Sequence, residues 1–197
     1  MLLYLLQGFS LGLPAAFMPG PLQAYLFSQT MKNGWRRTLP AALAPLLSDV
    51  PVITLTLLVT AQLPPAALRL VQIAGGLFLF YLAWGAFQTW RTYRPQAIAP
   101  DAGRQSVWQA ALTNLLNPNP YLFWGLVGVN ILRAAWEQAP ASALAFLGGF
   151  YALLLGGNAL TIFLFGTARD ALPRLNRSLI GLSALALAVL GVYQVVG

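Results

Sequence analysis

Five stretches of this chain run without one charged side chain: Met1 to Met31, Leu70 to Trp90, Gln105 to Leu132, Gln138 to Ala168 and Ser178 to Gly197. A sixth, Pro40 to Ala61, is apolar apart from Asp49 and a few hydroxyls. Each can hold a helix of about 20 residues, enough to cross the hydrocarbon of a bilayer. Soluble domains carry about 25% charged residues; this chain has 8%, against 58% hydrophobic. The expectation is an all-α integral membrane protein with six transmembrane helices, near 2–28, 40–61, 68–90, 107–131, 142–166 and 178–196. Little chain remains for a soluble domain, so residues 1–197 read as one transmembrane domain.

Two of these runs are interrupted by proline, at Pro19-Gly20-Pro21 and at Asn117-Pro118-Asn119-Pro120. Proline inside a helix removes a backbone hydrogen bond and clashes with the preceding turn. In lipid such a break survives only where protein or a water-lined cavity satisfies the freed groups. Helices 1 and 4 are therefore expected to be broken, at comparable places in the two halves of the chain. Interrupted hydrophobic segments in matching positions point to a transporter's binding site.

The halves share further weak matches. Helix 3 ends Gly85-Ala86-Phe87-Gln88 and helix 6 ends Gly191-Val192-Tyr193-Gln194, while Ser48-Asp49 in helix 2 is matched by Gly157-Asn158 in helix 5. A duplicated unit with an odd number of spans inserts its second copy upside down. The sequence predicts two inverted three-helix repeats, residues 1–93 and 107–197, joined by a cytoplasmic linker over 94–106; Pro64-Pro65 reads as a short outer turn. Paired small residues at Gly75-Gly76, Gly148-Gly149 and Gly156-Gly157 read as close helix contacts. Trp35, Trp84, Trp90, Trp108 and Trp136 fall near span ends and read as interface anchors.

A net charge of +7 admits a nucleic-acid partner, but the placement of the charges explains it without one. The first, third and fifth loops hold nine of the basic residues, from Lys32 to Arg177, and the second and fourth hold only Arg69 and Arg133. By the positive-inside rule the odd loops are cytoplasmic and both termini lie outside. The first apolar run lacks the basic segment that opens a signal peptide and continues to Ser28, so a span is expected there rather than a cleaved leader. Cysteine and histidine are absent, which removes thiol chemistry, imidazole proton shuttles and metal sites built on those ligands. No cofactor is expected.

Asp49 is the one acidic residue inside an expected span, about halfway along helix 2. A charge there costs roughly 2.5–3.5 kcal/mol on insertion scales. A carboxyl that loads and releases a proton suits proton-coupled exchange; the bland alternative is a hydrogen-bonded Asp that holds helices together. Pro19, Gly20 and Pro21 unwind helix 1 and leave amides at the start of a new half-helix, where an amino-acid carboxylate fits. Gln23, Tyr25 and Gln29 follow and are candidates for the same cavity. In helix 4, Asn117 and Asn119 frame the break, with Thr113 and Asn114 one turn earlier, and the freed carbonyls upstream suit an ammonium group. Asn158 on helix 5 is a further neutral polar candidate, with an interhelical hydrogen bond as its structural alternative.

With these residues the chain resembles the LysE/RhtB family of bacterial amino-acid exporters over nearly its whole length. The resemblance rests on the length, six spans, Pro19-Gly20-Pro21, the Asn-Pro break and the stretch Ala44-Pro45-Leu46-Leu47-Ser48-Asp49. It implies multi-pass residence in the bacterial inner membrane and export of amino acids or related small metabolites, driven by the proton-motive force, in a homodimer. It also implies family roles for Pro19, Gly20, Pro21, Asp49, Asn117 and Pro118. Members often have a basic residue after the second Asn-Pro, where this chain has Asn119. A proton-coupled exporter working by alternating access is the expected function, with a zwitterion as the substrate type. An uncoupled channel, a membrane-embedded enzyme and a non-transporting accessory protein are the alternatives. The lack of His, Cys and a second buried acid argues against the enzyme.

Overall fold

The computed structural model describes residues 1–58, 65–92, 102–171 and 173–196, and every regular element among them is helical. The order is α1 (Leu2–Phe17), α2 (Pro21–Asn33), α3 (Trp35–Thr38), a 3₁₀ turn (Leu39–Leu43), α4 (Ala44–Leu58), α5 (Pro65–Arg91), α6 (Ala102–Leu115), α7 (Pro118–Phe123), a π-turn (Trp124–Gly128), α8 (Val129–Gln138), α9 (Pro140–Ala171) and α10 (Pro173–Val196). Two described helical runs, Trp35–Leu58 and Pro140–Arg169, are long and apolar enough to cross a membrane. A third joins them if α1 and α2, bent by 59° at the first break, count as one span.

The helices are longer than expected wherever a charge had been taken as their limit. α2 runs to Asn33 rather than ending near 28, the next helical run begins at Trp35 rather than near 40, α6 begins at Ala102 inside the expected linker, and α8 reaches Gln138 instead of ending near 131. Lysine and arginine are good helix formers, so a charge marks where hydrocarbon ends and gives the helix no reason to stop. What does end α2 is Gly34, which sits at φ 79°, a backbone that favours glycine, and donates its N–H to the Thr30 carbonyl. Pro64 and residues 94–101 of the expected linker lie outside the described residues.

Packing follows the small residues. α1 lies along α9, α5 along α10, and α4 against α6. A Cβ at Gly8 would meet the Phe146 carbonyl, one at Gly12 the Phe150 carbonyl, and one at Gly149 the Leu5 carbonyl, so α1 and α9 approach backbone to backbone. Gly76 and Gly191 do the same for α5 and α10. Of the three expected glycine pairs, one member of each of two, Gly149 and Gly157, is in contact while Gly148 and Gly156 face open space. That is what a helix does with neighbours 100° apart. One core gathers Leu22, Tyr25, Leu26, Leu79, Ile162 and Leu187; a second gathers Ala16, Val52, Trp124, Phe146 and Phe150. Large apolar side chains such as Leu3, Leu58, Leu144 and Leu185 point outward, a surface that suits lipid rather than water. Trp84, Trp108 and Trp136 are exposed, as anchors would be, whereas Trp124 is buried in the second core.

Candidate functional site

The two breaks have the same local logic. A residue before proline is driven to extended backbone, and Met18 before Pro19 (φ −63°, ψ 119°) and Asn117 before Pro118 (φ −89°, ψ 128°) are both extended. Gly20, before Pro21, is extended as well and caps α2. Proline then opens the new helix at its first position, where a missing N–H costs nothing. Asn117 caps α7 through its side chain, Oδ1 accepting from the Asn119 N–H at 3.1 Å. Each break also frees carbonyls on the helix before it. One of these is taken in each case by a side chain from the following helix: Ala16 accepts from Gln23 Nε2, and Leu115 accepts from the Tyr121 hydroxyl at 2.9 Å. At the Leu115 carbonyl, one of the freed acceptors upstream of the second break, Tyr121 thus takes one of two lone pairs.

Between the breaks lies a cavity of about 140 Å³. The first break contributes Pro19, Gly20 and Gln23 to its lining, α4 contributes Asp49, and α6 with the second break contributes Asn114, Asn117 and Asn119. Gly20 has no atom within 4 Å of where a Cβ would stand, so the backbone there opens directly onto free space. The first amides of α2 with no intrahelical acceptor belong to Leu22 and Gln23, both of which line the cavity. The remaining wall is aromatic. Phe123 and Phe150 lie parallel with centroids 5.2 Å apart, and Trp124 meets Phe150 edge to face at 5.3 Å.

Asp49 is 3% exposed and its carboxyl is held by neutral donors. Oδ1 accepts from Asn114 Nδ2 at 3.0 Å and Oδ2 from the Tyr151 hydroxyl at 3.1 Å. Asn114 Nδ2 also reaches Ser48 Oγ at 2.8 Å, and the Trp124 indole is turned to the same carboxyl. Among the described residues no lysine or arginine faces it. A carboxyl at this depth that is paired with no base is neutral only when it holds a proton or a cation.

Seven of the expected site residues line the cavity: Pro19, Gly20, Gln23, Asp49, Asn114, Asn117 and Asn119. Five do not. Pro21 and Pro118 are buried just behind its wall. Tyr25 is fully buried and ties α2 to α6, its hydroxyl donating to the Ser106 carbonyl and to Gln109 Oε1. Thr113 returns its hydroxyl to the Gln109 carbonyl. Asn158 is fully buried behind Gln23, and its Oδ1 accepts from Gln23 Nε2 at 3.0 Å. Gln29 pairs with Asn33 one turn on. Phe123, Trp124, Phe150 and Tyr151 were not singled out from sequence. Of these Tyr151 left a signal, a phenol in the middle of an uncharged run.

The model of the LysE type translocator family matches residues 13–196, which takes in both breaks, Asp49 and the whole cavity. The chain belongs to the LysE type translocator family. Among curated proteins, the arginine exporter protein ArgO of Yersinia enterocolitica is 34% identical over 130 residues, covering 62% of each chain. ArgO of Salmonella paratyphi A is 30% identical over 129 residues, 62% of this chain and 60% of its own length. The match thus spans less than two thirds of these relatives. No solved structure matches the chain significantly.

Proposed function

We propose that this LysE type translocator is a secondary active exporter of amino acids or related small metabolites, coupled to protons through Asp49. The convergence of both proline breaks on one buried carboxyl carries this reading. The breaks belong to opposite halves of the sequence, yet their freed backbone faces a single cavity, and the carboxyl in that cavity lacks a base. The α-carboxylate of the substrate sits at the start of α2, where free amides and the helix dipole favour an anion. Its ammonium group sits toward Asp49 and the amide oxygens of Asn114, Asn117 and Asn119. The names of the ArgO relatives support an amino-acid substrate.

The architecture proposed is six spans in two inverted three-helix repeats, with α1–α2 and α6–α8 as the two broken spans and residues 94–101 within a cytoplasmic linker. The packing supports it. Exchanging the first span with the fourth and the second with the fifth carries the α1–α9 contact onto the α6–α4 contact and leaves the α5–α10 pair in place. Rocking of one repeat against the other gives alternating access. The bacterial inner membrane, termini outside and a homodimer complete the proposal.

The test is efflux from proteoliposomes holding a panel of labelled amino acids, with the same amino acids outside at higher concentration. An exporter moves specific members outward against their own gradient when an inward proton gradient is imposed. A channel moves them only downhill, and an accessory protein moves none.

A further inference from the structure

We propose that the proton and the cationic nitrogen of the substrate share one site, the Asp49 carboxyl, and occupy it one at a time. The inference rests on the exporter reading and adds its charge balance.

The cavity supplies the argument. Among the described residues, Asp49 is the only charged one that lines it. The groups facing it from the packed elements are Tyr151 on α9, Asn114 on α6, Trp124 in the π-turn and Ser48 on its own helix, all neutral at physiological pH. The elements of the first break present Met18, Gly20 and Gln23, also neutral. A carboxylate can accept about four hydrogen bonds; Asn114 donates one at 3.0 Å and Tyr151 one at 3.1 Å, with the Trp124 indole and Ser48 beside them. A charged nitrogen binds there by taking the place of one of these neutral donors. Among the described residues no second acid lines the cavity to hold a proton while the first holds the substrate. A bare carboxylate in this setting has lost its hydration and gained no counter-charge, so the empty, ionised state is the costly one. The two occupied states are the neutral acid and the ion pair.

The exchange step follows. On the cytoplasmic side an amine or guanidinium approaches, the Asp49 O–H bond breaks, its proton leaves to water, and an N–H···O ion pair forms beside the aromatic wall of Phe123, Trp124 and Phe150, a surface that favours organic cations. On the outer side a proton binds the carboxylate, the ion pair breaks and the cation departs still protonated. One proton enters for each substrate that leaves. The charge moved outward per cycle is the substrate's own charge less one. A monocation is exchanged without net charge movement, and a zwitterion carries one positive charge inward per cycle.

The experiment uses the full chain purified in nanodiscs, in weak buffer with a pH indicator, titrated with L-arginine and with L-leucine. On the acidic side of the Asp49 titration, whichever amino acid binds releases up to one proton per site, and its apparent affinity weakens by up to ~10-fold per unit of falling pH, as linkage requires; on the alkaline side the release fades. Asp49→Asn releases none, while Asp49→Glu, which keeps the carboxyl, still releases one and guards against loss of fold as the explanation. In proteoliposomes, arginine efflux is then indifferent to an imposed potential and leucine efflux is accelerated by an inside-negative one. Proton-driven efflux with binding that releases no proton, or with affinity flat across pH, overturns the shared site and leaves the exporter standing. Absence of both binding and efflux for a folded protein, across the amino-acid panel, overturns the exporter reading and the shared site with it.

Discussion

Tyr151 donates its hydroxyl to Asp49 Oδ2 at 3.1 Å from a helix 102 residues further along the chain. The bond joins the second half of the sequence to the carboxyl of the first, so any relative movement of the two halves must stretch or keep it. Tyr151→Phe removes the donor and nothing else. A buried acceptor left short of a partner costs about 1–3 kcal/mol, and thermal unfolding should fall accordingly. Efflux should drop by roughly an order of magnitude, since about 1.4 kcal/mol corresponds to tenfold. Unchanged efflux at unchanged stability would detach Tyr151 from the site.

Gly20 separates space from stability. A Cβ there meets nothing within 4 Å, and its extended backbone is open to any residue. Gly20→Ala should fold with stability within about 0.5 kcal/mol of wild type, as surface-like changes do. Gly20→Val and Gly20→Phe then fill the cavity step by step. Efflux should decline along the series while the melting temperature holds, measured on the same preparations.

The α1–α9 contact predicts the opposite pattern. Gly12→Val drives a side chain into the Phe150 carbonyl and should destabilise by about 1–3 kcal/mol or more, the range for overpacking. Gly148→Ala and Gly156→Ala point into open space and should be nearly silent. Unfolding in a mild detergent distinguishes the two classes. Equal effects would mean that α1 and α9 do not approach as described.

Gln23 and Asn158 pair through one bond, while Gln23 Oε1 and Asn158 Nδ2 are buried with no partner among the described residues. Removing one member of a polar pair strands the other, whereas replacing both with apolar groups is often neutral. Gln23→Leu alone should cost about 1–2 kcal/mol, and the double change with Asn158→Leu should cost less than the sum of the singles by at least 0.5 kcal/mol, the coupling expected of residues in contact. Additivity in this cycle would contradict the pairing.

The breaks, Asp49 and Asn114 were legible in the sequence because their signals are local. Proline stops a helix wherever it stands, and a carboxyl in an uncharged run is out of place whatever surrounds it. Tyr25, Thr113 and Asn158 were harder, because whether a polar side chain faces a cavity or a neighbouring helix depends on helix rotation. A break resets that rotation by an amount the sequence does not specify. Tyr25 follows Gln23 by two residues and lands on the far face of α2, against α6. Trp124 was hidden for a related reason. It opens a π-turn, whose extra residue per turn shifts the helical phase, and Gly128 leaves the room that its ring occupies. Helix ends were misjudged wherever arginine or lysine stood, since those residues report the membrane surface and not the end of the helix.

The most direct test of a proton-coupled exporter centred on Asp49 is efflux of a transported amino acid from proteoliposomes, with and without an inward proton gradient, for wild type beside Asp49→Asn. Asparagine keeps the size of the side chain and hydrogen-bonding groups toward Asn114 and Tyr151, so the fold should survive. The account predicts gradient-stimulated efflux in wild type and its loss in the variant. Gradient-stimulated efflux that persists in folded Asp49→Asn would contradict it.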